Sequence, residues 1–156
     1  KCYAAIGFEK CEELVFPEEL AGRKLTNPDA PRNEHCLQVK IEGKEQWVIP
    51  ILFSKEETYD PEKGGEFFRY LQFKLVVVKR AEEGMSVEVV REGEKVKLVD
   101  LGEVTGFLEQ VGENTTYLIH PEEILADNFV LLVTRKRGVP SPHVVENLER
   151  ILAGRK

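Results

Sequence analysis

The chain has 156 residues, 42% hydrophobic and 32% charged, with a net charge of −6 at pH 7. That balance is globular rather than disordered, and the length suits a single domain, or a fragment of a longer protein, with room for a sizeable core. An acidic chain without a basic stripe interleaved with aromatics argues against nucleic acid as a main partner, and no apolar run reaches the ~18 residues that a membrane-spanning helix needs.

In chain order, residues 1–35 read as an irregular entry with short helical pieces. Pro17 to Gly22 suits a one-turn helix opened by Pro and closed by Gly, and Thr26-Asn-Pro-Asp-Ala-Pro31 is dense in turn formers. Cys2, Cys11 and Cys36 lack metal-ligand spacing; Cys2 and Cys11 are candidates for one disulfide in an exported protein, and buried or free thiols are the other reading. Met85 is the only methionine, so the chain as given starts at Lys1 without an initiator and is expected to be processed or part of something longer.

From residue 36 the pattern turns to strands. Leu37, Val39 and Ile41 alternate with polar residues, a turn at Gly43-Lys44 follows, and Trp47, Ile49 and Ile51 lead to Phe53. Phe67 to Lys79 carries Leu75-Val-Val-Val78, the signature of a strand buried on both faces, and a second hairpin turns at Arg91 to Lys95. Tyr59, Phe67, Phe68 and Tyr70 beside Gly64-Gly65 suit either core packing or a peptide groove; with no helix start and no Lys-Ser/Thr after it, the Gly-Gly pair is not a phosphate loop. After Leu101 a helical period predicts helices over Val104–Val111, Pro121–Arg137 and from Pro142 to Leu152, with Arg135-Lys-Arg137 complementing a helix dipole and Asn114-Thr-Thr116 as the break. Strands first and helices last predict an α+β fold, with a mainly antiparallel sheet over about 37–101 and a C-terminal helical segment over 102–156.

One stretch gathers chemistry: Tyr117-Leu-Ile-His-Pro-Glu-Glu-Ile-Leu-Ala-Asp-Asn-Phe129, with Pro at a helix start and Glu123 one turn before Asp127. Glu122 and Glu123 also suit the helix dipole, and Asp127 a solvated face. The Glu123-x-x-x-Asp127 spacing resembles the second half of the zinc site in gluzincin-type metallopeptidases. That resemblance implies that Glu123 is a zinc ligand, that Asp127 orients a zinc-binding His, and that His120 stabilises developing charge or binds zinc itself. His-Glu-x-x-His is absent and the histidines are His35, His120 and His143, so two His ligands and the general base would come from the N-terminal remainder of the protein. The resemblance thus implies the C-terminal portion of a zinc metallopeptidase that acts on a peptide substrate when completed and is inactive as this chain. The other function the residues allow is a non-catalytic β-rich interaction or scaffold module that offers a sheet edge or aromatic face to a protein partner.

Overall fold

A computed structural model describes residues 1–58, 60–63, 66–81 and 84–154. In chain order the first half comprises α1 (Cys2–Ala5), β1 (Phe8–Lys10), α2 (Glu18–Ala21), β2 (Lys24–Leu25), β3 (His35–Ile41), β4 (Lys44–Ser54) and β5 (Leu71–Arg80). The second half comprises β6 (Val87–Val89), β7 (Arg91–Glu92), β8 (Lys95–Val96), β9 (Leu98–Val99), β10 (Val104–Thr105), α3 (Phe107–Val111), α4 (Pro121–Val133) and α5 (Pro142–Leu152). This is the expected α+β architecture, a curled antiparallel sheet with its longest helices at the C-terminal end.

Long strands β3, β4 and β5 form the centre, and short strands line both sides. β1 and β10 pair with β3, β2 pairs with β4, and β6 and β9 pair with β5. Covering a long edge with short strands leaves little continuous backbone to recruit another sheet. The sheet therefore draws strands from outside residues 37–101, at Phe8–Lys10, Lys24–Leu25 and Val104–Thr105.

Alternation divides the central strands between two cores. Leu37, Val39, Ile41, Val48, Leu75 and Val77 pack with Phe107, Val111, Ile124 and Val144 of α3, α4 and α5 on one face. Cys36, Ile49, Ile51, Phe53, Val76 and Val78 pack with Cys11, Leu14, Leu20 and Val96 on the other. The unbroken Leu75–Val78 run is thus explained, because β5 is covered on both sides. Cys2 lies on α1, and all three cysteines are free thiols.

Several element ends differ from the sequence reading. The first hairpin turns at Glu42 and Gly43, with φ of 50° and 78°, the two positive angles of a primed turn that matches strand twist. Phe67–Tyr70 is a 3₁₀ turn, and the strand begins at Leu71. The helix expected over Val104–Val111 is divided: Val104 and Thr105 pair with Ile41 and Lys40, Gly106 takes φ 91°, and only Phe107–Val111 is helical. Helix α4 stops at Val133 instead of reaching Arg137. Arg135 adopts φ 52° while its amide bonds the Leu132 carbonyl and the Lys136 amide the Leu131 carbonyl, a Schellman closure with Arg where Gly is usual. Arg135-Lys-Arg137 therefore follows the helix rather than forming its last turn. Of the expected aromatic group and its turn, Tyr59 and Gly64-Gly65 lie outside the described residues. Among the described residues no helix is long and apolar enough to cross a membrane.

Gly112 joins α3 to the loop before α4 with φ 81°, and a Cβ there would stand 2.7 Å from Val144 Cγ2 and 3.0 Å from Ser141 Cβ. Left-handed strain and overpacking then combine, so Gly112→Ala should lose about 2–4 kcal/mol of stability in denaturant unfolding. A loss below about 0.5 kcal/mol, the range of an indifferent surface change, would show that this junction is not tightly packed.

Candidate functional site

Helix α4 begins at the sheet face and carries its polar side chains to separate loops. Pro121 occupies its first turn, where no N–H partner is needed, and His120 is the N-cap residue in extended conformation. His120 is 1% exposed rather than facing a cleft. Its Nε2 lies 3.0 Å from Thr26 Oγ1, and the Thr26 hydroxyl also lies 3.0 Å from the Ala30 carbonyl, to which it donates. With that single hydroxyl hydrogen used, Nε2–H of His120 is the donor, and Nδ1 becomes an acceptor that is buried without a partner among the described residues.

Glu123 is half-buried, and its Oε1 accepts a 2.6 Å hydrogen bond from Asn27 Nδ2. Asp127, exposed one turn on, accepts from the Thr115 hydroxyl, which in turn accepts the Tyr117 amide at 3.1 Å. These two carboxylates do lie on one stripe of α4, but each ties down a different loop. The residues present do not by themselves fit a zinc ion: among the described residues no group of three or more His, Cys, Asp or Glu could hold one. Asp127 orients a threonine where the resemblance implies a histidine.

Two polar pairings were not legible in the sequence. His35 of β3 stacks on Tyr3 with ring centroids 4.4 Å apart, and its Nδ1 is 3.6 Å from Glu122 Oε1. Glu122 Oε2 is buried with no hydrogen-bond partner among the described residues. Asn128 is fully buried: its Nδ2 donates to the Ile124 carbonyl at 2.8 Å and its Oδ1 accepts from Asn114 Nδ2 at 2.8 Å. Asn114 also bonds the Ser141 carbonyl and amide, both at 2.8 Å, joining the middle of α4 to the start of α5. The signal for Asn128 was its place on the apolar stripe, four residues after Ile124, where a polar side chain needs a buried partner.

An apolar pocket of about 260 Å³ opens beside this helix start, lined by Leu25, Leu52, Phe67, Phe68, Leu71 and Ile119 with Thr26, Asn27 and Tyr117. It arises because β4 and β5 run on past the helices. Phe73, opposite Leu52 across the β4–β5 ribbon, is covered edge to face by Phe107 at 6.3 Å, whereas Leu71, one step further out on the same face, lines the pocket together with Leu52. His120 and Glu123 hold Thr26 and Asn27, so the α4 N-terminus sets one pocket wall. Tyr117 has its hydroxyl pKa raised by burial and then by the nearby Glu123 charge, so it stays neutral.

Compared with known proteins, the sequence matches no family model and no curated protein, and the fold matches no solved structure.

Burial lowers the pKa of both His35 and His120, with the Glu122 charge opposing in each case. Their folded values lie below the ordinary 6.5, so the unfolded chain binds protons first as pH falls. Stability from these neutral imidazoles is present above pH 6.5 and is lost below it, as pH falls toward their folded values. Urea unfolding should show a falling midpoint between about pH 7 and pH 5, above most carboxylate titration, and the combined His35→Gln, His120→Gln variant should flatten that slope. A wild-type midpoint that is constant across this window contradicts the assignment of neutral imidazoles.

Proposed function

We propose that this domain is a non-catalytic interaction module that takes an apolar side chain of a protein partner into the pocket beside α4. The supporting observation is the pocket itself, with aliphatic and aromatic walls and a polar rim already tied in place by His120 and Glu123. Its size is below the roughly 300–1,000 Å³ of small-molecule sites, which suits one anchor residue of a peptide segment better than a whole ligand. Phe68, 77% exposed at the mouth, adds an aromatic surface for flanking contacts. The residues of catalytic type thereby acquire a positioning role: His120 and Glu123 hold residues 26–27, and Asp127 holds residues 115–117.

A displayed library of random short peptides tests this reading when selected in parallel on the wild-type domain and on Phe68→Ala and Leu71→Lys variants. Wild-type selection should converge on peptides sharing one Leu, Phe or Trp position, and each variant should weaken the winners by about tenfold, the cost of removing a hot-spot contact. Selections showing no shared apolar position, or winners that bind all three proteins equally, overturn it.

The zinc-peptidase portion is the second reading, and what favours it is the spacing of Glu123 and Asp127 along one stripe of α4, with Glu123 bonded to Asn27 of the pocket rim. It requires ligands from outside this chain and release of Glu123 from Asn27. In a longer protein that supplies them, Glu123→Ala should abolish stoichiometric zinc while leaving the fold intact. Full retention of zinc by that variant, measured by metal analysis, removes Glu123 as a ligand.

A further inference from the structure

Two buried thiols meet on the sheet face opposite α4. Cys36 of β3 pairs with Glu9 of β1, and just past the end of β1 the Cys11 amide donates to the Glu34 carbonyl at 2.8 Å. Both cysteines belong to the apolar cluster of Leu14, Ile49 and Val78, at 1% and 0% exposure. The β1–β3 register carries Cys11 two residues past Glu9, the partner of Cys36, so the two thiols are diagonal neighbours on one face of the sheet. Their proximity lowers the pKa of Cys11 and, with burial, raises that of Cys36. The Arg80 guanidinium places a cation beside both sulfurs, held by an ion pair to Glu9 and by the Trp47 ring 4.9 Å away. A thiol beside a fixed cation and a second thiol is the arrangement in which exchange chemistry is favoured. Cys2, the partner for Cys11 suggested by sequence, sits instead on α1 with the helices of the other face.

We propose that Cys11 and Cys36 form a redox-responsive pair that closes to a disulfide by exchange with a low-molecular-weight disulfide such as oxidised glutathione. The Cys11 thiolate attacks one sulfur of the small disulfide, forming a mixed disulfide and releasing the first small thiolate. Cys36 then loses its proton and attacks the Cys11 sulfur, the mixed S–S bond breaks, and the second small thiolate leaves. The two protein thiols are oxidised by two electrons, and the small disulfide is reduced to two thiols. Reagent enters when residues 11–14 open, a segment tied by the Glu12 amide to the Met85 carbonyl at 2.6 Å and by the Leu14 amide to the Asn33 carbonyl at 3.0 Å. The closed loop runs from Cys11 to Cys36 and contains α2, β2, Thr26 and Asn27. Oxidation therefore fastens the segment that carries one wall of the pocket.

The test equilibrates the purified protein, without denaturant, in glutathione buffers of rising oxidised fraction, then denatures, alkylates and maps peptides. The expected product is a peptide pair joined through Cys11 and Cys36 with Cys2 alkylated. Its thermal midpoint should exceed that of the reduced protein by roughly 5–10 °C, as expected for closing a loop of this length. Cys2→Ala should keep that rise, and Cys36→Ala should lose it. Linkage through Cys2, a mixed disulfide that never resolves, or Cys11 and Cys36 alkylated at every ratio overturns the proposal. The wild-type map decides the pairing by itself, so a Cys36→Ala variant that fails to fold leaves the test intact.

Discussion

A helix packed against a sheet can carry polar side chains on its inner side only where each finds a partner, and that requirement shapes this molecule around α4. Asn128 is fully buried, yet both ends of its amide are used, by Ile124 on its own helix and by Asn114 on the preceding loop. Asn114 then reaches Ser141 and fixes where α5 begins. His120, Glu123 and Asp127 extend the same principle to residues 26, 27 and 115. Removing one partner of such a buried pair typically costs about 1–3 kcal/mol, because the group left behind has lost water without gaining a substitute. The loops around α4 are therefore held by polar bonds, while the helix itself is held by Ile124 and its apolar neighbours.

A second constraint comes from the sheet. Strands β4 and β5 are long, and they pair over eight residues from Trp47–Val78 to Ser54–Leu71. Helices α3, α4 and α5 cover the half of this ribbon around Val48 and Val77. The other half needs a different cover, and the chain supplies it piecemeal, with β2, the 3₁₀ turn at Phe67–Tyr70 and residues 117–119. Three pieces from distant parts of the sequence do not seal as a helix does. The pocket is thus a consequence of strand length exceeding helical cover, and its polar rim follows from α4 having to anchor those same pieces.

What the sequence made legible depends on how far a pattern extends. Period-two alternation from Leu37 to Phe53 and the apolar run Leu75–Val78 each span several residues of one element, and both gave the right strands. Two-residue strands have no period to read: Val104 and Thr105 looked like the start of a helix until Ile41 and Lys40 claimed them. The end of α4 was hidden for another reason, since Arg135 takes the left-handed position where Gly would have announced a stop. At the site, residues 120–128 stood out because so many polar groups share helical spacing, but their partners did not. Thr26, Asn27 and Asn114 meet them only through the fold, and nothing local in those residues says whether a carboxylate will hold a metal, a substrate or a neighbouring amide.

Where the hydrogen bonds go bears directly on that last ambiguity. Glu123 and Asp127 each accept a donor from a loop that would otherwise be unanchored, which gives both carboxylates a positioning role. His120 is more telling. A catalytic imidazole must present one nitrogen to its substrate, but here Nε2 is committed to Thr26 and Nδ1 is buried inside the protein. Burial also lowers its pKa, so it is a neutral donor holding the 26–30 turn. The same turn is approached from its other end by the segment that starts at Cys11, whose backbone follows β3 through Glu34 and Asn33 before leaving the sheet. One wall of the pocket is thereby suspended between two anchorages: a polar one at the start of α4 made by His120 and Glu123, and an apolar one on the opposite face that holds Cys11 and Cys36.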